Sequence, residues 1–161
     1  MLDASISHCE VLASNIQHPT SISGGIVMAV KRVTYFSIDV PDRPGVLADV
    51  CSVLRDNKVN LRGLWGFGMG PGKAQIILVP QNPKQFQKAS RAAGYTAKEG
   101  TAFYLNGTDR VGALCKTLDQ VKAAGINIHA MDAVALGGKF GAYIWGEDNN
   151  TEKLAKAIGA K

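Results

Sequence analysis

An internal repeat at a constant offset of 67 residues constrains this chain more than any other feature. Thr34, Phe36, Asp42, Arg43, Gly45, Leu47 and Asn60 recur as Thr101, Phe103, Asp109, Arg110, Gly112, Leu114 and Asn127. Apolar character is kept between these anchors: Ile38 with Leu105, Leu54 with Val121, Val59 with Ile126, and Leu61 with Ile128. No gap is needed across 28 positions, and Gly72-Lys73 returns as Gly138-Lys139 at an offset of 66. One supersecondary unit is therefore used twice. In a chain of 161 residues each unit has roughly 65 to 70, a thin core unless the two share one or pair with another copy.

Each repeat is read by its period. Thr34, Phe36, Ile38 and Val40 alternate with Tyr35, Ser37 and Asp39, which makes residues 34–40 a half-buried strand. Pro41 to Gly45 is turn chemistry leading into a helix, and Val46, Leu47, Val50, Cys51 and Leu54 form its core stripe. Residues 59–67 return to strand. The glycine-rich run Gly66 to Gly72 is followed by another strand at 73–79, so it is a hairpin turn and not a phosphate loop, which would open a helix. Asn82-Pro83 starts a second helix with Phe86, Ala89 and Ala93 inward, and Tyr95 to Lys98 closes the unit. The second copy runs 101–106, 111–124, 126–134, 139–145 and 149–158, with Gly125 ending its first helix. The order is β-α-β-β-α-β, the ferredoxin-like plan. The expected fold is α+β: two tandem antiparallel sheets with helices on one face, the second lacking its last strand. Residues 1–30 are an extension, 31–100 the first module and 101–161 the second. The open edge beside 102–105 needs a cover, for which Ile26–Val30 or a partner subunit is a candidate.

Composition narrows the class. No apolar stretch approaches the ~18 residues a spanning helix needs. The first 30 residues carry no Lys or Arg, so the basic leader of a secretory signal is missing. Cys9, Cys51 and Cys115 are an odd number with no CxxC pair; they read as reduced packing residues of a cytoplasmic protein, not as a disulfide frame or metal site. Residues 1–27 hold two acids and no base, leaving 18 bases against 11 acids elsewhere. The bases are scattered without interleaved aromatics, which argues against nucleic acid and for solvated surface charge. His8, His18 and His129 are too far apart for a ligand triplet, and no local spacing marks a catalytic triad or carboxylate pair. No enzyme activity and no cofactor are expected.

The repeated turn carries the chemistry. A helix start presents unpaired N–H groups and partial positive charge, which suits a carboxylate. Gly45 and Gly112 leave that backbone open. Arg43 and Arg110 are placed to fork onto a carboxylate, Asp42 and Asp109 to meet an ammonium, and Asn60 and Asn127 to offer donor and acceptor. Structural readings stand beside these: Asp42 and Asp109 as helix caps, Arg43 and Arg110 as idle surface charge, the glycines as packing devices, the asparagines as strand-opening polar residues.

Val40-Pro41-Asp42-Arg43-Pro44-Gly45-Val46-Leu47, a helix, then Val59-Asn60-Leu61 resembles the ACT-domain signature. Asp109-Arg110-Val111-Gly112-Ala113-Leu114 with Ile126-Asn127-Ile128 is similar, with Val111 in place of proline. The resemblance implies a free-standing regulatory protein that binds a free amino acid or similar zwitterion where modules meet, and either acts on a separate amino-acid biosynthetic enzyme or reports the amino-acid level to a partner; the thin core and open sheet edges lead to the expectation of a homodimer. The alternative is an accessory subunit of such an enzyme that senses nothing. Under the resemblance the ligand-binding residues are Asp42, Arg43, Pro44, Gly45, Val46, Leu47 and Asn60, and Asp109, Arg110, Val111, Gly112, Ala113, Leu114 and Asn127.

Overall fold

The computed structural model describes residues 28–160; most of the expected extension, with Cys9, His8, His18 and Ile26-Val27, lies outside them. The order is β1 (Ala29–Pro41), α1 (Val46–Asp56), β2 (Leu61–Gly68), β3 (Lys73–Pro80), α2 (Pro83–Ala92), β4 (Ala97–Thr108), α3 (Cys115–Ala123), β5 (Ile128–Leu136), β6 (Lys139–Gly146) and α4 (Thr151–Ile158). The strands form one antiparallel sheet in the order β2-β3-β1-β4-β6-β5. The expected two sheets are therefore a single one.

The merger has a specific cause. The short closing strand expected at Tyr95–Lys98 and the strand expected at 101–106 are one continuous strand, β4, and β1 is lengthened to match. Ala29 lies opposite Asn106 and Ile38 opposite Ala97, with Thr34 facing Thr101 at the centre. Thr34 and Thr101 are equivalents in the repeat, so the strand pair has an approximate two-fold axis through them. Val30 to Val33 thereby cover the edge of β4 at Ala102 to Leu105. The eighth strand missing from the C-terminus is supplied by the start of β1, which satisfies backbone groups that an open edge would leave unpaired.

All four helices pack on one face, over two cores. Phe36, Ile38, Val40, Ile76 and Leu78 meet Val46, Val50 and Leu54 of α1 and Phe86 and Ala89 of α2. Phe103, Leu105, Ala142 and Ile144 meet Val121 of α3 and Leu154, Ala155 and Ile158 of α4. Each fully buried large side chain contributes about 1.5–3 kcal/mol. The α1 stripe is narrower than expected: Leu47 and Cys51 are exposed, and so is Ala93 beyond α2. Cys115 is exposed as well. The thiols are not packing residues: on α1 only the i, i+4, i+8 row of Val46, Val50 and Leu54 is buried. Asn82 caps α2 through Gln85 N–H at 3.2 Å, with Pro83 in the first turn, as the sequence predicts.

The opposite face is aromatic. Trp65, Tyr143 and Trp145 pack edge-to-face or stacked, with ring centres 4.9–5.9 Å apart. Trp65 Nε1 donates to Asp132, and Tyr143 Oη donates to the Arg62 carbonyl at 3.1 Å. These bonds join β2 to β5 and β6, strands from opposite ends of the sheet order, so the sheet curls toward this face. Glycines make room for the rings: a Cβ at Gly100 would lie 2.5 Å from Tyr35, and one at Gly63 2.4 Å from Trp65. Burial pushes the Tyr143 hydroxyl above its ordinary pKa.

Candidate functional site

The two turns begin alike. Asp42 N–H donates to the Gly72 carbonyl at 3.2 Å, and Asp109 N–H to the Gly138 carbonyl at 2.9 Å, which ties each turn to the following hairpin. Gly45 and Gly112 have φ of 91° and 77°, a left-handed conformation that disfavours any side chain. A Cβ at Gly45 would meet nothing within 4 Å, so tight packing does not explain this glycine; its backbone conformation does. Neither helix start receives a side-chain cap. The cap reading of Asp42 and Asp109 therefore falls. The Asp42 carboxylate instead lies over Gly68 of β2, with Oδ2 3.7 Å from where a Cβ there would sit.

The turns differ in what surrounds them. Arg43 pairs with Asp49 of α1 at 3.7 Å, both exposed, so it is not idle; such a surface pair is worth little. Val46 is buried, Leu47 half-exposed, and Asp42, Pro44 and Gly45 exposed. In the second copy α3 starts at Cys115, four residues later than the expected Val111. Ala113 N–H donates to the Arg110 carbonyl as Val46 N–H does to Arg43, but Cys115 N–H then donates to Gly112 at 3.0 Å, a further tight turn ahead of the helix. Asp109, Arg110, Gly112, Ala113, Leu114, Cys115 and Leu118 face Ala133, Val134 and Ala135, with Phe140 at the base, around a cavity of about 300 Å³.

Five of the seven positions predicted in the second copy line this cavity. Val111 is fully exposed and does not. Asn127 lies beyond the far end of α3, in a shallow depression with Leu118, Lys122 and Gly125. Asn60 occupies the same place beyond α1, where its side chain accepts from Leu61 N–H at 3.0 Å. Eleven helical residues at about 1.5 Å rise separate the Gly45 and Asn60 ends, so the asparagines and the glycine turns of one module do not meet. The sequence reading missed Cys115, Leu118, Ala133, Val134, Ala135 and Phe140. Leu118 was legible one helical turn after Leu114; the β5 alanines were not, because only the fold brings them opposite the turn. His129 is an exposed strand residue. Among the described residues no His, Cys, Asp or Glu group is arranged to hold a metal, and no helix is long and apolar enough to cross a membrane.

The ACT-domain family model matches residues 34–91. No curated protein matches the sequence. Among solved structures, protein BT0572 from Bacteroides thetaiotaomicron is similar, with a TM-score of 0.73 at 20% identity over 81% of this chain and 88% of that one. The ligand-free regulatory subunit of aspartate kinase from Thermus thermophilus gives 0.58 at 16%, over 82% and 94%. The corresponding subunit from Thermus flavus gives 0.54 at 16%, over 84% and 95%. At these identities the likeness is one of fold. The chain contains an ACT domain, spanning residues 34–91.

Proposed function

We propose that this chain is a regulatory protein of two tandem ACT modules that binds a free amino acid, and that it is not an enzyme. The matched domain covers the first module; the repeat and the common turn geometry extend the reading to the second. The observation that carries it is the cavity between the Asp109–Leu118 segment and β5. It brings the Asp109 and Arg110 residues together with an apolar lining of alanine, leucine and phenylalanine. A zwitterion needs the first and its side chain the second. The outer strands β2 and β5 are unpaired on one side in the sheet order, and Phe67, Met69, Val134 and Leu136 are exposed at or next to their ends. A homodimer formed along these edges would close the cavity from outside. We place the protein in the cytoplasm, where Cys51 and Cys115 remain thiols.

A thermal-shift panel of the twenty amino acids tests this. One or a few acids raise the midpoint, by linkage worth about 2.7 kcal/mol at a hundredfold excess over Kd. Ala135→Phe, which fills the cavity from an exposed strand position, removes the shift. A second reading, an accessory subunit that senses nothing, is favoured by the same exposed apolar edges and by the fold shared with a regulatory subunit of aspartate kinase. It predicts no shift with any amino acid, together with retention of a biosynthetic enzyme on the immobilised chain.

A further inference from the structure

The helix-free face holds two further cavities, of about 500 and 490 Å³, and they are equivalents under the repeat. In the first half the lining includes Asp39, Pro41, Met69, Lys73, Ala74 and Gln75. In the second half Asn106, Thr108, Leu136, Lys139, Phe140 and Gly141 stand at the corresponding positions, joined by Tyr104 and Val134. The volumes match, but the charges do not.

In the first half the floor carries its own carboxylate. Asp39 accepts from the Gln75 amide at 3.0 Å and pairs with the Lys98 ammonium at 3.2 Å. Lys73 lines the same cavity. In the second half the carboxylate and the amide that donates to it have gone and the cations have stayed. Asn106 replaces Asp39 and Gly141 replaces Gln75, while Lys139 replaces Lys73. Lys31, the counterpart of Lys98, lies opposite Tyr104 in the strand register, on the face that carries Asn106. Among the described residues no carboxylate pairs with Lys31 or Lys139. The Asn106 amide and the Tyr104 and Thr108 hydroxyls add donors, and the exposed Val134 and Leu136 side chains form an apolar wall.

We infer that this second cavity, on the face away from the helices and sharing only Val134 and Phe140 with the cavity at the Gly112 turn, binds a small organic carboxylate with an aliphatic body. The ligand's carboxylate takes the charge position that Asp39 holds in the first half, between two lysines and the neutral donors. Its aliphatic part lies on Val134 and Leu136. The first half, already neutralised by Asp39, does not bind it.

The test is a titration of the full chain with 4-methylpentanoate, using 4-methylpentanamide as the neutral match, read by calorimetry and by backbone amide shifts. The carboxylate is expected to perturb Tyr104–Thr108 and Lys139–Gly141, and the amide to bind at least about tenfold more weakly. Asn106→Asp restores the internal carboxylate and should lower affinity by about tenfold or more without lowering the melting temperature. Lys139→Gln should weaken binding by several-fold. The proposal is overturned if carboxylate and amide bind equally, or if Asn106→Asp keeps full affinity. Perturbations confined to Ala113–Leu118 and Ala133–Ala135, or no binding at concentrations on the order of 10 mM, would overturn it equally.

Discussion

Gly45 and Gly112 owe their identity to backbone conformation, and that makes their cost calculable. At Gly45 a methyl group would meet open space, so Gly45→Ala carries only the left-handed penalty of about 1 kcal/mol. For a chain of this size that lowers the melting temperature by about 2–4 °C. Gly63→Ala should cost more, because its Cβ would collide with the Trp65 ring. Charge at the residue scale gives a pH dependence. Arg32 forks onto Glu152 at 2.6 and 2.8 Å and holds that carboxyl below its usual range. Hydrogen bonds from Gln75 and Lys98 lower Asp39 in the same way. A carboxylate depressed in the folded state adds stability above its unfolded pKa and loses it as pH falls through the folded one. The melting-temperature advantage of the native chain over Glu152→Gln should therefore be full at neutral pH and disappear as pH falls through the lowered Glu152 pKa. Because both side chains are exposed, the advantage is small.

At the scale of elements, much of the order was legible because turn chemistry is local. Asn82-Pro83 named the start of α2, and Gly66–Gly72 named a hairpin. The merged strand was not legible, because Lys98, Glu99 and Gly100 look like a boundary. The polar pair is exposed on the sheet, and Gly100 is there for the ring of Tyr35. The phase of α1 was misread for a related reason: Leu47 and Cys51 fit a helical stripe, but their row lies off the sheet. Cys51 should react with a thiol reagent in the native protein, at a rate close to that after denaturation; its protection would contradict the exposure described here. The site was half legible. The turn residues were visible in the repeat, whereas Ala133 to Ala135 reach the turn only because β5 pairs with β6 at the sheet edge.

For the whole molecule, sharing β1 and β4 between the halves means that neither half keeps its sheet alone. The full chain should unfold in one cooperative calorimetric transition, and two separated transitions would show that the halves are independent. Trp65 and Asp132, which are repeat equivalents on opposite edge strands, link the halves again across the helix-free face. Trp65→Phe should lower the melting temperature of the whole chain without splitting the transition. The claim on which the functional account rests is that a free amino acid occupies the cavity at the second turn. The most direct measurement is an amide-resolved titration of the full chain with each amino acid in turn. The account predicts that one or a few of them perturb Gly112–Cys115 and Ala133–Ala135 together, and that Ala135→Phe abolishes the effect. Titrations that leave these amides unmoved, with every amino acid, would contradict it.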